Sequence, residues 1–245
     1  MKFEDVKKLH LKKVREEHGF FLLEGEHLVQ ELQKAVAGGD MRLRASEIYL
    51  TREYEHWQSS LPMHVVTALQ MRQLSETRSP QGIAAIVPLL VAPPQKPDER
   101  AVYLHEIQDP GNLGTILRTL AWFGGFRCLL SPNSVDVHNG KVVRASMGAI
   151  FHVPVEIDVR IDSLPARFGR IASLDLRGRD INSPEFRKYD CYLYGNESRG
   201  LPQAASAAIG ARAFTIAGTG VIESLNVATT VNICLYELTR SRRAE

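Results

Sequence analysis

Short apolar runs alternate with helix-like stretches through the second half of the chain. Such runs are typical of strands buried on both faces, and their alternation with helices is typical of a parallel sheet. The predicted strands span residues 102–106, 127–130, 152–155, 171–174, 191–194 and 213–216. The predicted helices span residues 141–147, 164–168, 202–208 and 225–239, with a further helix that places Leu113, Ile116, Leu117 and Leu120 on one face. The pattern therefore predicts an α/β fold built on a parallel sheet.

The first 92 residues carry a second, smaller α/β pattern. Strands are predicted over 20–23, 48–50, 64–66 and 83–87, and helices over 25–37, 52–57 and 68–74. The stretch 93–98 that follows is polar and proline-rich, a composition that suits a semi-rigid linker. We therefore predict two domains, 1–92 and 99–245, joined by the linker 93–98.

The cysteines and the apolar runs predict the cellular compartment of the protein. Cys128, Cys191 and Cys234 are far apart and form no CxxC pair, which fits a reducing compartment and argues against a disulfide framework or a metal site. All three lie in apolar runs, so we expect buried, inert thiols. The longest apolar run, 83–92, is interrupted by Pro88 and is too short to span a bilayer, and the N-terminus has no signal-peptide core. We expect a soluble, cytoplasmic protein.

The formal net charge of +2 is small for a nucleic-acid-binding protein, so any basic surface must come from local clustering. One cluster lies within residues 1–19 and consists of Lys7, Lys8, Lys12, Lys13 and Arg15. Two interpretations stay open. The cluster is either a solvated helical face or a contact for an RNA backbone, since lysine and arginine supply most non-specific affinity for phosphates.

Polar residues gather in the loops that follow the last two predicted strands. Glu197 lies in a glycine-flanked loop, and Ser224 and Asn226 precede the last helix. Open α/β sheets bind ligands at the carboxyl ends of their strands, so these loops predict a site. Each residue also has a structural explanation: Glu197 could cap a helix or pair with Arg199, Ser224 could cap the last helix, and Asn226 could be a first-turn surface residue.

Two further candidates follow the strand predicted over 102–106. Asn112 lies in the turn after this strand, and Arg118 lies on the helix that comes next. Helical side chains lean toward the N-terminus of their helix, so the Arg118 guanidinium can reach back over the end of the strand. The alternative is an exposed helix arginine beside a turn asparagine.

Common cofactor motifs are absent from the sequence, which has no GxGxxG, GxxxxGK[ST] or HExxH pattern. Three stretches instead resemble the motifs of the SpoU/TrmH-like RNA ribose 2′-O-methyltransferases, which belong to the knotted SPOUT superfamily. These are QDPGNLGTILR at 108–118, LYGNESRGL at 193–201 and SLNVA at 224–228. The stretches 143–151, 21–25 and 79–82 are also similar to this family, so the resemblance covers nearly the whole chain.

The resemblance implies a catalytic domain whose C-terminal loops form a deep trefoil knot, which binds S-adenosylmethionine. By position, Gly195, Ile216 and Leu225 would line the cofactor pocket. The resemblance also implies that domain 1–92 binds RNA and that two copies pair through their catalytic domains. The presence of such an N-terminal unit favours ribosomal RNA over transfer RNA as the substrate. Ala217 and Gly218 replace the family's usual proline and methionine, so we expect a looser loop there.

The implied reaction transfers a methyl group to a ribose 2′-hydroxyl, with Arg118, Asn112, Glu197, Ser224 and Asn226 as the catalytic set. Arg118 would activate the hydroxyl, although arginine is effectively always protonated. Either the site frees a nitrogen lone pair, or Arg118 orients the nucleotide while a phosphate or water takes the proton. Two rival functions stay open: a non-catalytic RNA-binding or ribosome-assembly factor, and a Rossmann-type oxidoreductase, which the missing glycine motif disfavours.

Overall fold

A computed structural model describes residues 1–240. The α-helices, in chain order, are α1 (Phe3–Val6), α2 (Lys12–His18), α3 (Glu26–Ala37), α4 (Ala68–Leu74), α5 (Pro110–Phe123), α6 (Gly140–Ser146), α7 (Gln203–Ala208) and α8 (Val227–Thr239). The strands are β1 (Phe20–Glu24), β2 (Glu47–Leu50), β3 (Met63–Val65), β4 (Ile83–Pro88), β5 (Arg100–Leu104), β6 (Phe126–Leu130), β7 (Val155–Glu156), β8 (Ile171–Asp180), β9 (Cys191–Tyr194) and β10 (Arg212–Thr215).

The chain packs into two compact units. The N-terminal unit consists of Met1–Leu90 and Asp136–Phe151, and the C-terminal unit consists of Val91–Val135 and the described residues from 152 onward, 152–240. The sequence predicted a single change of domain within 93–98. By packing, the segment Asp136–Phe151, which carries α6, belongs to the N-terminal unit although it is distant in sequence.

The N-terminal unit is built on a four-stranded sheet in the order β1-β4-β2-β3. β4 pairs antiparallel with β1 and β2, whereas β2 and β3 are parallel. Its helix predictions need two corrections. Residues 1–19 form two short helices, α1 and α2, with turns between them, and 52–57 contains only a 3₁₀ turn, Arg52–Tyr54.

Arg15 is not part of a solvated or RNA-binding surface, because it is buried. Its guanidinium forms an ion pair with Asp136 and donates hydrogen bonds to the carbonyls of Leu9 and His10, at 2.7 and 2.8 Å. Asp136 is 121 residues away, which explains why the sequence around Arg15 did not predict its burial. The other members of the basic cluster are partly exposed or exposed.

The C-terminal unit is built on a six-stranded sheet in the order β10-β8-β9-β5-β6-β7. Every neighbouring pair is parallel, which confirms the predicted fold class. The central strands β5, β6 and β9 are almost entirely buried because helices cover the sheet. Leu113, Ile116 and Leu117 of α5 are fully buried, as are Val231 and Leu235 of α8, the helix that packs against α5.

Three elements of this unit differ from their predictions. β7 is a two-residue strand, Val155–Glu156, and 164–168 falls in a 3₁₀ helix, Ile161–Ala166. β8 continues to Asp180, six residues beyond its predicted end, because its pairing with β10 shifts register between Ala213 and Phe214. Residues that loop out of a strand pairing in this way leave no periodic signal in the sequence.

The three cysteines are free and buried, as predicted. Burial raises the pKa of the Cys128 and Cys191 thiols well above the ordinary value and raises that of Cys234 to about 12, so these thiols stay protonated. Among residues 1–240, no helix is both long enough and apolar enough to cross a membrane.

Candidate active site

Three loops of the C-terminal unit follow the carboxyl ends of strands. Residues 105–109 follow β5, 195–200 follow β9, and 216–226 lead from β10 to α8. β5 and β9 are direct neighbours in the sheet, so their loops meet at one edge. Carboxyl ends of parallel strands are the usual ligand-binding edge of such sheets.

Glu197 connects the first two loops. Its carboxylate accepts hydrogen bonds from the backbone N–H groups of Gln108 and Asp109, at 3.4 and 3.2 Å, and from Asn112 Nδ2 at 3.2 Å. All three donors are neutral, so they hold the carboxylate in place without cancelling its charge. Asp109 caps α5 through its own side chain, which accepts from the Asn112 N–H.

Asn112 connects these two loops to the third. Its Oδ1 accepts a 2.9 Å hydrogen bond from Asn226 Nδ2. Asn226 Oδ1 accepts from the N–H groups of Ala228 and Thr229, so Asn226 is the N-cap of α8. Glu197, Asn112 and Asn226, in that order, therefore form a continuous chain of hydrogen bonds across the three predicted motifs.

Two structural explanations offered by the sequence are wrong. Ser224 does not cap α8, because the helix begins at Val227 and Asn226 caps it. Arg199 does not pair with Glu197, because its guanidinium binds Glu106 Oε2 at 2.7 Å. Glu106 takes a left-handed backbone conformation, with φ of +48°, which a non-glycine residue adopts at a cost of about 1 kcal/mol.

Asn196 organises the 195–200 loop, a role that the sequence did not single out. It is buried, its Oδ1 accepts from the N–H groups of Ser198 and Arg199, and its Nδ2 donates to the Glu106 carbonyl at 2.7 Å. Gly195 closes the same loop, since a Cβ there would lie 2.3 Å from the carbonyl carbon of Gly200. The sequence signal available for Asn196 was its place between Gly195 and Glu197.

Gln108 is a second residue whose role the sequence did not predict. Its side-chain amide donates to the carbonyls of Glu106 and Asn133, at 3.1 and 2.6 Å. These bonds hold the 105–109 loop, whose backbone N–H groups bind Glu197. Gln108 lies within the first motif, but nothing in the local sequence distinguishes this support from an exposed turn residue.

Arg118 is exposed on α5. It belongs to a row of exposed residues along this helix, which consists of Gly111, Thr115, Arg118 and Trp122. Within residues 1–240, its guanidinium makes neither a hydrogen bond nor an ion pair. The structure therefore does not join Arg118 to the Glu197–Asn112–Asn226 chain, and its charge is available to a ligand.

The remaining predicted residues lie in the second and third loops. Ser224 and Leu225 are exposed, with Leu225 at 42%, whereas Gly195 and Ile216 are half-buried. In the described part of the protein, the Ser224 hydroxyl makes no hydrogen bond to the chain of three residues, and the other three residues have no side-chain donor or acceptor. Their predicted roles in cofactor binding and catalysis stay predictions.

His105 places a titratable group beneath the site. Its Nδ1 is buried and has no hydrogen-bond partner among residues 1–240. Burial lowers the pKa of His105, an effect opposed by the nearby Glu106 carboxylate and reinforced by Arg199. At neutral pH this imidazole is therefore uncharged.

The chain matches two family models. The SpoU rRNA Methylase family matches residues 99–236, and the MRM3-like substrate binding domain matches residues 2–85. Among known proteins, the 23S rRNA (guanosine(2553)-2′-O)-methyltransferase RlmP of Bacillus subtilis is 30% identical over 243 residues, which cover 97% of this chain and 95% of that protein.

Two solved structures are similar over almost the whole chain. One is an RNA methyltransferase of the TrmH family from Porphyromonas gingivalis, with 28% identity and a TM-score of 0.83, covering 98% of this chain and 97% of that one. The other is an AdoMet-bound rRNA methyltransferase from Sinorhizobium meliloti, with 26% identity and a TM-score of 0.82, covering 98% and 94%.

Proposed function

The chain belongs to the SpoU rRNA methylase family, and we propose that it transfers a methyl group from S-adenosylmethionine to a ribose 2′-hydroxyl of ribosomal RNA. The observation that carries this proposal is the hydrogen-bonded chain Glu197–Asn112–Asn226, which joins the three motif loops at the carboxyl edge of the sheet. The similarity to RlmP supports the ribose 2′-oxygen and ribosomal RNA as the target.

The 195–200 and 216–226 loops have the chemistry that S-adenosylmethionine requires. The adenosyl group needs apolar surface and backbone hydrogen-bonding groups more than counter-charges. Val221, Ile222 and Leu225 are apolar side chains exposed in the third loop, at 86%, 67% and 42%. Gly195 lies in the second loop and Ile216 begins the third, and we propose that Gly195, Ile216 and Leu225 hold the cofactor.

The cofactor supplies a methyl group on a positively charged sulfur. The protein must bring the ribose 2′-oxygen in line with that methyl and let the hydroxyl lose its proton as the oxygen–carbon bond forms and the carbon–sulfur bond breaks. Glu197 already accepts three hydrogen bonds, so its role is to hold Asn112 in place. Arg118 is charged, exposed and free to bind the nucleotide. It therefore orients the ribose and its phosphate, and a phosphate oxygen or water takes the proton.

We also propose a homodimer, formed through α5 and α8. Trp122 on α5 and Tyr236 on α8 are exposed at 75% and 60%, and large aromatic side chains are enriched at interfaces. Trp122 lies on the same exposed row of α5 as Arg118, so pairing there would bring the partner close to the site. A Trp122→Glu variant should sediment as a monomer.

Three further features of the proposal follow from the same family membership. The N-terminal unit binds the RNA, as its match to a substrate binding domain supports. The C-terminal segment, which contains the 195–200 and 216–226 loops, forms the deep trefoil knot that is typical of this family. The protein works in the cytoplasm, since its free thiols suit a reducing compartment.

Methyl transfer to RNA tests the proposal. Purified protein would be incubated with methyl-labelled S-adenosylmethionine and total RNA from cells that lack this gene, and the RNA would be separated by size. We expect label in a ribosomal RNA band, on a nucleotide whose 3′-phosphodiester bond resists alkaline cleavage because its 2′-oxygen is methylated. Label in transfer RNA would correct the substrate, and cofactor binding without label in naked RNA or in assembly intermediates would favour a non-catalytic RNA-binding factor.

Replacement of Arg118 by lysine tests the assigned role. Lysine keeps the charge but loses the planar donor pair that binds a phosphate or ribose in a fixed orientation. We expect turnover to fall at least tenfold while the affinity for S-adenosylmethionine stays unchanged. Full turnover in the Arg118→Lys variant would remove Arg118 from the catalytic set.

A further inference from the structure

A concave surface lies at the edge of the six-stranded sheet opposite the candidate active site. It is a cleft of about 700 Å³ at the amino ends of β8, β9 and β10. Phe168, Ile171 and Tyr189 contribute to its wall, and Arg170, Lys188 and Arg212 to its rim. β9 is four residues long, so the cleft and the candidate active site are separated by about 13 Å of strand.

The cleft carries uncompensated positive charge. The side chains of Arg170, Lys188 and Arg212 are exposed, and within the described residues none of them makes a hydrogen bond or an ion pair. The carboxylate that lines the cleft, Glu185, already forms an ion pair with Arg179 and accepts a hydrogen bond from the Tyr189 hydroxyl at 3.3 Å.

One further carboxylate lies nearby. Asp190 Oδ2 accepts a 2.9 Å hydrogen bond from the backbone N–H of Arg170, so this carboxylate is held by backbone and not by a basic side chain. It offsets one of the three positive charges. An excess of positive charge remains in the cleft of a chain whose formal net charge is only +2.

The sheet sets the spacing of the three cations. β10, β8 and β9 are consecutive neighbours. Arg212 begins β10, Arg170 immediately precedes β8, and Lys188 ends the 3₁₀ turn Phe186–Lys188, three residues before β9. Adjacent strands are about 4.8 Å apart, so the amino ends of the three strands, near which the cations lie, are spread over a row about 10 Å long. A row of this length fits a polymer with repeated negative charges better than a single phosphate.

We propose that this cleft binds the phosphate backbone of the RNA substrate at a position remote from the methylated nucleotide. The inference rests on the proposed function, because RNA is the polyanion that function requires. The apolar wall offers little for base recognition, since Phe168 is buried and Tyr189 packs edge-on against Phe214. The contact is therefore with the backbone and does not depend on sequence.

The test compares two variants with the same loss of charge. Arg170→Gln/Arg212→Gln removes two cations from the cleft, and Lys96→Gln/Arg160→Gln removes two exposed cations of the same unit that do not line it. The probe is a fluorescein-labelled oligouridine of about 20 nucleotides. Its affinity is measured by anisotropy over a series of salt concentrations.

We expect the cleft variant to lower the slope of log affinity against log salt by about 1.4, because each phosphate contact with a single strand contributes about 0.7. The affinity should fall about 25-fold near 0.1 M salt if the value extrapolated to 1 M is unchanged. The control variant should change the affinity less than twofold. Both variants should bind S-adenosylmethionine as the unmodified protein does.

Two results would overturn the inference. One is an equal effect of the two variants on oligouridine binding, which would assign the affinity to overall charge. The other is a result with polyglutamate as competitor. If polyglutamate displaces the labelled probe as strongly as unlabelled oligouridine does, and the cleft variant loses this competition, the cleft would be assigned to an acidic protein. Methyl transfer by the unmodified protein is measured separately, so failure of the enzyme activity and failure of the cleft remain distinguishable.

Discussion

Two arginines of the C-terminal unit differ in how their charge is used. Arg127, in β6, is 2% exposed, and all three of its guanidinium nitrogens have partners: Nε donates to Glu99 at 2.9 Å, Nη1 to Glu156 and Nη2 to the Pro93 carbonyl at 3.1 Å. Arg118, on α5, is exposed and makes no such bond in the described part of the chain. A saturated charge stabilises the fold, whereas an unsaturated one can bind a ligand.

The carboxylates of the buried cluster and of the candidate site also differ in whether their charge is paired. Glu99 and Glu156 are neutralised by Arg127, and Glu156 also by Arg167. Among residues 1–240, Glu197 instead accepts only from neutral N–H donors, which fix its position and leave its charge in the site. Charge pairing therefore distinguishes the structural cluster from the candidate active site more clearly than residue type does.

The largest expected effect comes from breaking the buried cluster. An Arg127→Met variant leaves Glu99, whose side chain is 9% exposed, without its counter-charge. Loss of one partner of a buried ion pair costs about 3–5 kcal/mol, so we expect this decrease in the free energy of unfolding in urea. An Arg118→Met variant should unfold within about 0.5 kcal/mol of the unmodified protein. Equal midpoints for the two variants would contradict the comparison.

His138 extends the comparison to the N-terminal unit. Burial lowers its pKa to about 4; the Asp136 carboxylate opposes this shift and Arg15 adds to it. The unfolded chain gains a proton on His138 as the pH falls through about 6.5, whereas the folded chain gains it only near 4. Stability is therefore full above about 6.5 and should decrease by up to about 3 kcal/mol between pH 6.5 and 4.

The measurement for His138 is the free energy of unfolding at several pH values in this window. A His138→Gln variant keeps an acceptor for the Leu90 N–H, which the imidazole Nε2 now binds at 3.3 Å. In the unmodified protein the free energy of unfolding should decrease between pH 6.5 and pH 4, and the variant should lose most of this decrease. A parallel decline in both proteins would assign the dependence to other groups.

An Asn226→Asp variant removes one hydrogen bond of the candidate site, the bond from Asn226 to Asn112. Aspartate can still cap α8 through a side-chain oxygen, but it presents an acceptor to Asn112 Oδ1 where the amide presented a donor. We expect kcat/KM for methyl transfer to fall about 10- to 100-fold, which corresponds to roughly 1.4–2.8 kcal/mol. Thermal stability should change little, because aspartate and asparagine are similarly good N-caps.

Asn139→Asp is the matched control for stability. Asn139 caps α6 by accepting from the Lys141 N–H at 2.9 Å and has no bond to the Glu197–Asn112–Asn226 chain. The two variants should have similar stability relative to the unmodified protein. If Asn226→Asp transfers methyl groups at the original rate, the bond between Asn226 and Asn112 has no role in the reaction.

The sequence predicted the sheet well because each buried strand is a local signal. The bounds of β9 agree with the predicted 191–194, and the motif order correctly indicated that Asn112, Glu197 and Asn226 belong to one edge. The pairing of side chains was not predictable, because it is decided over long separations. Arg199 lies two residues from Glu197 but binds Glu106, 93 residues away.

The start of α8 shows the same limit. Ser224 and Asn226 are both good capping residues, so local preference could not choose between them. In the structure, the Asn226 side chain satisfies two helix N–H groups and Asn112 together, and Asn112 is 114 residues away. The choice between two equivalent caps was therefore made by the tertiary structure, at the place where the candidate site is assembled.

The smallest expected effect concerns the third loop, where Ala217 and Gly218 replace the family's usual residues. A Cβ on Gly218 would meet no atom of the described residues within 4 Å, and the φ of Gly218 lies outside the left-handed region, whereas Gly220 has φ of +78°. A Gly218→Met variant should bind S-adenosylmethionine about two- to fivefold more tightly in calorimetry, because it reduces the freedom of the unbound loop. Gly220→Met should weaken binding, since a side chain is strained at that φ. Tighter binding in both variants would mean that the added apolar side chain, and not the backbone of the loop, determines the affinity.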